Sequence, residues 1–333
     1  MNILVTGASG FIGSFLVQKL IEEGHQVVGI DNFSDYYSVD LKRQRVAKMH
    51  VSSNRAEIVN VDISNKSDLE KVFLSNNFHV VVHLAAQAGV RLPAQNYVDS
   101  NILGFLNLLD LLKKYGVTNC LFASSSSVYG NSSTLPYREN DTNLHPMSFY
   151  GLTKKLNEEY ANVVHMNFSV KFRAMRFFTV YGPWGRPDMA YFRLISAALN
   201  RDFFKLFGDG SIQRDFTFVT DVVSVINQLL NELVSKSETR FFDRVNIGGE
   251  RPLSINYLIA EIERQTKEKI DISVLDPNSS DSKITVASRD YLESLIGRRE
   301  YIPLEEGISK TLAWATSPEV ISKLSSWVQS TKK

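Results

Sequence analysis

The chain carries a single cysteine, Cys120, so it can form neither an internal disulfide nor a cysteine-built metal site. That poverty suits a reducing compartment. It also lacks any run of about 18 uncharged apolar residues, which removes a membrane-spanning helix. The first residues, Met1-Asn2-Ile3-Leu4-Val5-Thr6, enter a strand directly with no basic or long apolar leader, so no signal peptide is expected. A cytoplasmic location follows as the expectation. Charge of one sign is missing too: Lys plus Arg number 37 and Asp plus Glu 36, a net charge of +1. Nothing global therefore draws the protein onto nucleic acid or a membrane surface, and any anion it binds must be held by local geometry. No internal repeat or long low-complexity linker interrupts the chain, and no metal site is expected.

What is present is ordinary globular composition: 333 residues, 44% apolar and 22% charged. That length can bury a sizeable core as one large α/β unit or two joined domains. Short apolar runs at Asn2–Thr6, Gln26–Ile30, Ala56–Val61, His79–Leu84, Cys120–Ser124 and Val170–Met175 read as buried strands. Helical stretches alternate with them, notably Phe11–Glu23, Tyr97–Tyr115 and Ser148–His165. Such alternation predicts an α/β fold, a Rossmann-type doubly wound parallel sheet covered on both faces. After about Phe177 the pattern becomes irregular, with shorter helices at Val222–Leu233, Ile255–Gln265 and Leu304–Trp314. This predicts a smaller C-terminal substrate-binding cap. The expected division is a nucleotide-binding domain over 1–178 with a return segment at about 216–247, and a cap over 179–215 and 248–333. Asp276–Ser282 reads as a flexible loop and Ser330–Lys333 as a frayed end.

Gly7-Ala8-Ser9-Gly10-Phe11-Ile12-Gly13 lies between the first strand and first helix. Glycines there permit a tight turn and close backbone approach to a pyrophosphate, while the helix start presents free N–H groups to it. Asp31 closes the second strand, 18 residues after Gly13, where a carboxylate can accept both ribose hydroxyls of an adenosine. It would repel a 2′-phosphate, which favours NAD over NADP. Asp62 ends the third strand, placed to meet the adenine edge. His83 reads as a packed core histidine, followed by small residues where a cofactor would pass.

Tyr150 and Lys154 stand four apart on a predicted helix, so both leave one face. Lowering a phenol by about three pH units takes ~4 kcal/mol, which one ammonium about 4–5 Å away can supply at an effective dielectric of ~20. Tyr150 could then take a hydroxyl proton near neutral pH. The run Ser124-Ser125-Ser126-Ser127 closes the fifth strand, at the edge where open α/β sheets bind ligands.

In these features the chain resembles the extended short-chain dehydrogenase/reductases, and among them the NAD-dependent nucleotide-sugar 4-epimerases. The similarity covers almost the whole length and continues through Arg214-Asp215-Phe216-Thr217-Phe218-Val219 and Asn246-Ile247-Gly248. The segments Asp31-Asn32-Phe33-Ser34-Asp35-Tyr36-Tyr37, Ala85-Ala86-Gln87-Ala88-Gly89-Val90-Arg91 and Arg176–Met189 resemble the UDP-glucuronate 4-epimerase branch. The resemblance implies cofactor contacts from Gly7, Gly10, Phe11, Ile12, Gly13, Asp31, Asn32, Asp62, Ile63, Leu84, Ala85, Ala86, Asn101, Tyr150 and Lys154. It implies Ser125, Tyr150 and Lys154 as catalytic residues. Arg91, Ser126, Ser127, Thr179, Arg186 and Arg214 are the expected substrate contacts. Ser126, Ser127, Thr179 and Arg186 could meet a sugar carboxylate, although Arg186 could instead pair with Asp188, and Thr179 could simply cap a strand. Arg214 is expected at a UDP phosphate, or in a surface pair with Asp215.

The implied chemistry is transient oxidation at C4 of a UDP-sugar, rotation of the 4-keto sugar, and return of hydride to its other face. Rival readings are a 4-epimerase for UDP-glucose or UDP-N-acetylglucosamine, a decarboxylase, a 4,6-dehydratase, or a non-catalytic NAD-sensing regulator. The stretch Ser282–Ser288 departs from the family in lacking an Arg and the usual Ala-Asp ending. Ile102, Phe105, Leu106, Leu109 and Leu112 form one broad apolar stripe on Tyr97–Tyr115. With the long helix Ser148–His165 it predicts a homodimer through a four-helix contact, as the resemblance also implies, unless both helices bury their stripes only against their own sheet.

Overall fold

The computed structural model describes residues 1–50, 55–89, 92–131, 134–249, 251–277 and 282–331, side chains at 49 and 50 excepted. The expected loop Asp276–Ser282 and the chain end therefore lie partly outside the described residues. Seven parallel strands form the main sheet: β1 Asn2–Thr6, β2 Gln26–Asp31, β3 Ala56–Asn60, β4 Val80–His83, β5 Asn119–Ser125, β6 Lys171–Phe177 and, much later, Phe241–Ile247. Their spatial order is Phe241–Ile247, β6, β5, β4, β1, β2, β3. Chain order reverses between β1 and β4, and the crevice above that switch point is where such sheets take ligands.

Both faces are covered, as continuous Val/Ile/Leu strands require. On one, Leu16 and Val17 of the Phe11–Glu22 helix pack with Val222, Val225 and Leu229 of the Val219–Ser235 helix. On the other, Phe105, Leu108 and Leu112 meet Phe73, Phe122 and Phe172. Two small sheets build the smaller part. β7 Thr179–Tyr181, β9 Gln213–Phe218 and β11 Pro252–Ser254 form one sheet, while β8 Phe203–Phe207 pairs with β12 Asp271–Leu275, which leaves Phe241–Ile247 as β10. Their core is aromatic, with Tyr181, Tyr191, Phe192 and Trp327 buried together. Return to the main sheet thus begins at Val219, because residues 216–218 belong to β9.

Two local features differ from the helix-and-strand expectation. Residues 95–114 are not one uniform helix: the middle turn, Val98–Leu103, is a π-helix. Its wider turn carries Asn101, and Gly104 follows because a Cβ there would sit 2.5 Å from Ile63 Cγ1. A helix at Val39–His50, absent from the sequence reading, runs beside the end of β2. Among the described residues, no helix is long and apolar enough to cross a membrane.

Candidate active site

The glycine loop is shaped by contacts only glycine allows. Gly7 has φ +72°, and a Cβ on it would lie 2.8 Å from Ala85 N. A Cβ on Gly13 would lie 2.1 Å from Gly7 O. The Phe11–Glu22 helix starts from Gly10 with no side-chain cap, so its first N–H groups are available to an anion. Beside it Asp31, only 8% exposed, accepts Ser9 N at 3.1 Å through one oxygen and Phe33 N at 2.8 Å through the other. Both oxygens are thereby aimed and each keeps a lone pair for a ribose hydroxyl. An uncapped helix start, a side-chain-free cradle and an oriented carboxylate together fit NAD.

These residues open into a cleft of about 1190 Å³ at the carboxyl ends of the strands. Gly7, Gly10, Phe11, Ile12, Gly13, Asp31, Asn32, Ile63, Leu84, Ala85 and Ala86 line one part. Ser125, Ser126, Ser127, Tyr150, Lys154, Thr179, Arg186 and Arg214 line the remainder. Two expected cofactor residues do not line it. The Asp62 carboxylate turns to Asn32 Nδ2 at 2.9 Å and to Ser64 N and Oγ; those bonds outweigh its burial and hold it below the usual carboxylate range. Asn101 is buried within the fold, where it accepts from Gln87 N at 2.8 Å and donates to Gln87 O and Thr153 Oγ1. It fixes the wall following Ala86 instead of facing the cleft. Arg91 lies outside the described residues.

Ser148 caps the Phe149–Asn167 helix by accepting Gly151 N at 3.1 Å. Gly151 packs so close that a Cβ would meet Ser127 O at 2.6 Å, which brings Tyr150 against the serine run. Lys154 Nζ stands 5.8 Å from the Tyr150 ring centroid, on the shared face that four-residue spacing dictates. The expectation that this ammonium by itself acidifies the phenol needs correcting. Burial raises the Tyr150 phenol above its ordinary value, and the protein groups that pull it down are the Arg186 charge and a hydrogen bond with Ser125. The same burial brings Lys154 down to about 8. Helical periodicity sets the angle between two side chains but not how much water each loses.

Ser125 Oγ accepts Ser127 N at 3.1 Å and donates to Ser127 Oγ at 3.1 Å, which fixes its hydroxyl at the strand end. Beneath it, Ser124 donates to Glu158, one helical turn beyond Lys154. Glu158 is fully buried and takes both a fork from Arg176 and a bond from Arg244 Nε. This network, which sequence reasoning missed, ties the Phe149–Asn167 helix to β5, β6 and β10. His83 is buried, hydrogen-bonded to Thr6 Oγ1 at 2.8 Å, and depressed to about 3 by burial and then by Lys154. It stays neutral, in keeping with a core histidine.

Across the cleft, Arg186 holds Asp188 in a bidentate pair at 3.0 and 2.5 Å, and Tyr36 OH donates to the same carboxylate. The alternative in which Arg186 pairs with Asp188 is thus the observed one, yet Arg186 still lines the cleft. Arg214 Nη1 donates to the carbonyls of Gln213 and Ser282. Asp215 is occupied by Gly249 N and Ala287 N. Lys42 is a further cleft cation, 5% exposed, with its ammonium on Ser34 O and Oγ. No periodicity marked it, because its helix was not foreseen.

The sequence matches the profile of the NAD dependent epimerase/dehydratase family over residues 3–248. The chain belongs to this family. Protein CapI of Staphylococcus aureus is 37% identical over 332 residues, covering 94% of this chain and 98% of that one. A UDP-glucuronate 4-epimerase of Thermodesulfobacterium geofontis is 37% identical over 316 residues, covering 94% and 95%. Among solved structures, UDP-glucuronic acid 4-epimerase from Bacillus cereus, in complex with UDP-glucuronic acid and NAD, superposes with a TM-score of 0.87 at 34% identity. That match covers 94% of this chain and 98% of that one. The family resemblance read from the motifs and the seven-stranded parallel sheet thus agree with full-length relatives.

Proposed function

We propose that this protein is an NAD-dependent UDP-sugar 4-epimerase that interconverts UDP-glucuronate and UDP-galacturonate. The observation carrying it is the meeting of Tyr150, Ser125 and buried Lys154 with a glycine cradle and Asp31 in one cleft. Full-length similarity to UDP-glucuronate 4-epimerases supports the same reading. NAD, when bound, supplies the acceptor and later the donor for the C4 hydride, so the reaction has no net redox change. The chain's own residues do the rest. Tyr150 holds the O4 proton and returns it, and Ser125 shares that hydrogen bond. Lys154 keeps a positive charge beside the ring.

Gly7, Gly10, Phe11, Ile12, Gly13, Asp31, Asn32 and Ile63 hold the dinucleotide in this reading, with Leu84–Ala86 along its path. Ser126, Ser127 and Thr179 donate to the sugar carboxylate, Arg186 adds an N–H, and Arg214 meets the diphosphate. Residues 1–178 with the return segment form the cofactor unit, and the remainder grips UDP while the sugar turns. Of the stripe expected to pair, Phe105, Leu109 and Leu112 are buried against the chain's own sheet, and only Leu106 is exposed. With Leu103, Phe149 and Leu152 exposed beside it on two neighbouring helices, it supports a homodimer through that narrower face. The cytoplasm supplies both nucleotide ligands and suits a lone buried thiol.

Separate incubations with UDP-glucuronate, UDP-glucose and UDP-N-acetylglucosamine, followed by NMR of the products, test the proposal. UDP-galacturonate from the first, well ahead of turnover of the others, is the expected result. Epimerisation of a neutral sugar alone would replace the substrate assignment, and no product from any would remove the catalytic reading.

A further inference from the structure

Arg45, on the Val39–His50 helix, is 0% exposed and belongs to neither half of the cleft wall described above. Its guanidinium reaches both. Nη1 donates to Ser9 O at 3.1 Å, inside the glycine loop whose next contact, Ser9 N, orients Asp31. Nε donates to Trp184 O at 2.8 Å and Nη2 to Gly185 O at 2.9 Å, immediately before Arg186. Nη1 also donates to Tyr37 OH at 2.6 Å. From Gly185 the chain runs through Arg186 to Asp188, from Asp188 to Tyr36 OH, and along the backbone to Tyr37, which closes a ring on Arg45. Trp184 adopts φ +60°, a conformation that an L residue keeps only when its surroundings impose it. Arg45 holds that carbonyl from one side, and Tyr191, donating to Gly182 O, holds the turn from the other.

We infer that Arg45 is a positioning residue that couples the dinucleotide cradle to the Arg186 loop, so that NAD and the sugar acid bind with positive cooperativity. The inference rests on the UDP-glucuronate reading above. A planar five-donor fork is suited to this task, because every acceptor it meets is a neutral oxygen fixed in direction, and a lysine could satisfy only part of the set. Settling either loop settles the fork, and the fork then settles the other loop. By linkage, sugar acid must hold NAD more firmly by the same factor that NAD holds the sugar acid.

The test times NAD release from holoenzyme after dilution into a trap that destroys free NAD, in buffer, with UDP, or with UDP-glucuronate. In the wild type, UDP-glucuronate should slow release about five-fold or more beyond the effect of UDP, which lacks the sugar carboxylate. In Arg45→Met and Arg45→Lys that extra factor should fall below about two, with melting temperature and circular dichroism showing a folded protein. The lysine variant keeps the charge and most of the volume, so it carries the test if the methionine variant does not fold. An extra factor retained in the folded variants, or absent in the wild type, overturns the inference. Failure of the wild type to bind UDP-glucuronate at all would instead sink the functional reading on which it stands.

Discussion

Replacing Lys154 with methionine should raise stability at neutral pH while abolishing turnover. Lys154 is 1% exposed, and burial lowers it from 10.5 to about 8. At ~1.4 kcal/mol per pH unit, the gap corresponds to a cost of about 3 kcal/mol for keeping the charge inside. The folded protein releases this proton more readily than the unfolded chain, so between pH 8 and 10.5 the unfolded chain binds more protons. Stability from this group therefore climbs as pH rises through that window, and the full cost is present below it. Methionine has similar length and no charge to desolvate, so it removes the cost without opening a large cavity.

Calorimetry on cofactor-stripped wild type and Lys154→Met should show the variant melting up to ~6 °C higher at pH 7. The gap should shrink steadily and close as the pH passes 10.5, above which the wild-type amine is mainly neutral in both states. A variant that melts lower at pH 7, or a gap indifferent to pH, would refute the claim that Lys154 is a charge held in place against its solvation cost. Loss of the product signal in the same variant separates stability from function.

Tyr150→Phe should keep NAD bound and reduce turnover by about 10²-fold or more, the usual worth of a positioned proton donor and acceptor; equal loss of cofactor by fluorescence titration would count against it. Asp31→Ala removes the acceptor of Ser9 N and Phe33 N and should weaken NAD by about 10–100-fold, with a much smaller change in UDP affinity by calorimetry. Arg186→Met should raise KM for UDP-glucuronate by about 10-fold or more while hardly changing that for UDP-glucose. Since the Arg186 charge pulls the Tyr150 phenol down, the same variant should also move the rising limb of the kcat/KM pH profile to higher pH, and an unmoved limb would dissociate the two residues.

The glycine loop, Asp31, the serine run and the Tyr150–Lys154 pair were legible in the sequence because each is fixed by short-range geometry. A turn needing φ +72°, a strand end and a four-residue helical offset all act within a few residues. What stayed hidden is held by contacts between distant segments. Arg45 meets Trp184 across 139 residues, and Tyr36 meets Asp188 across 152. Asp62 and Asn101 differ: their position after a strand or on a helix suggested the cofactor, while in the structure their side chains bond Ser64, Asn32 and Gln87 and do not line the cleft. Likewise, spacing oriented Lys154 toward Tyr150, while the burial that reverses the expected shift depends on everything packed around both.

The same distinction bears on how a sugar acid would be chosen. Arg186 spends a fork on Asp188, so this loop presents a nearly neutral pair instead of an unopposed cation. A carboxylate arriving there gains little from net charge. On the proposed reading its selection would come from directed donors lining the cleft, the hydroxyls of Ser126, Ser127 and Thr179, with an N–H of Arg186. Hydroxyl donors can also turn and accept from the hydroxymethyl group of a neutral hexose, so they reject it less sharply than an unpaired arginine would. Discrimination by such a site grows with how rigidly the donors are held, because a donor that cannot reorient is left unpaired by the wrong substrate. Ser125 on Ser127, Ser124 on Glu158 and Arg45 on the Arg186 loop are the contacts that supply this rigidity, which makes substrate choice a property of the residues behind the cleft wall as much as of those lining it.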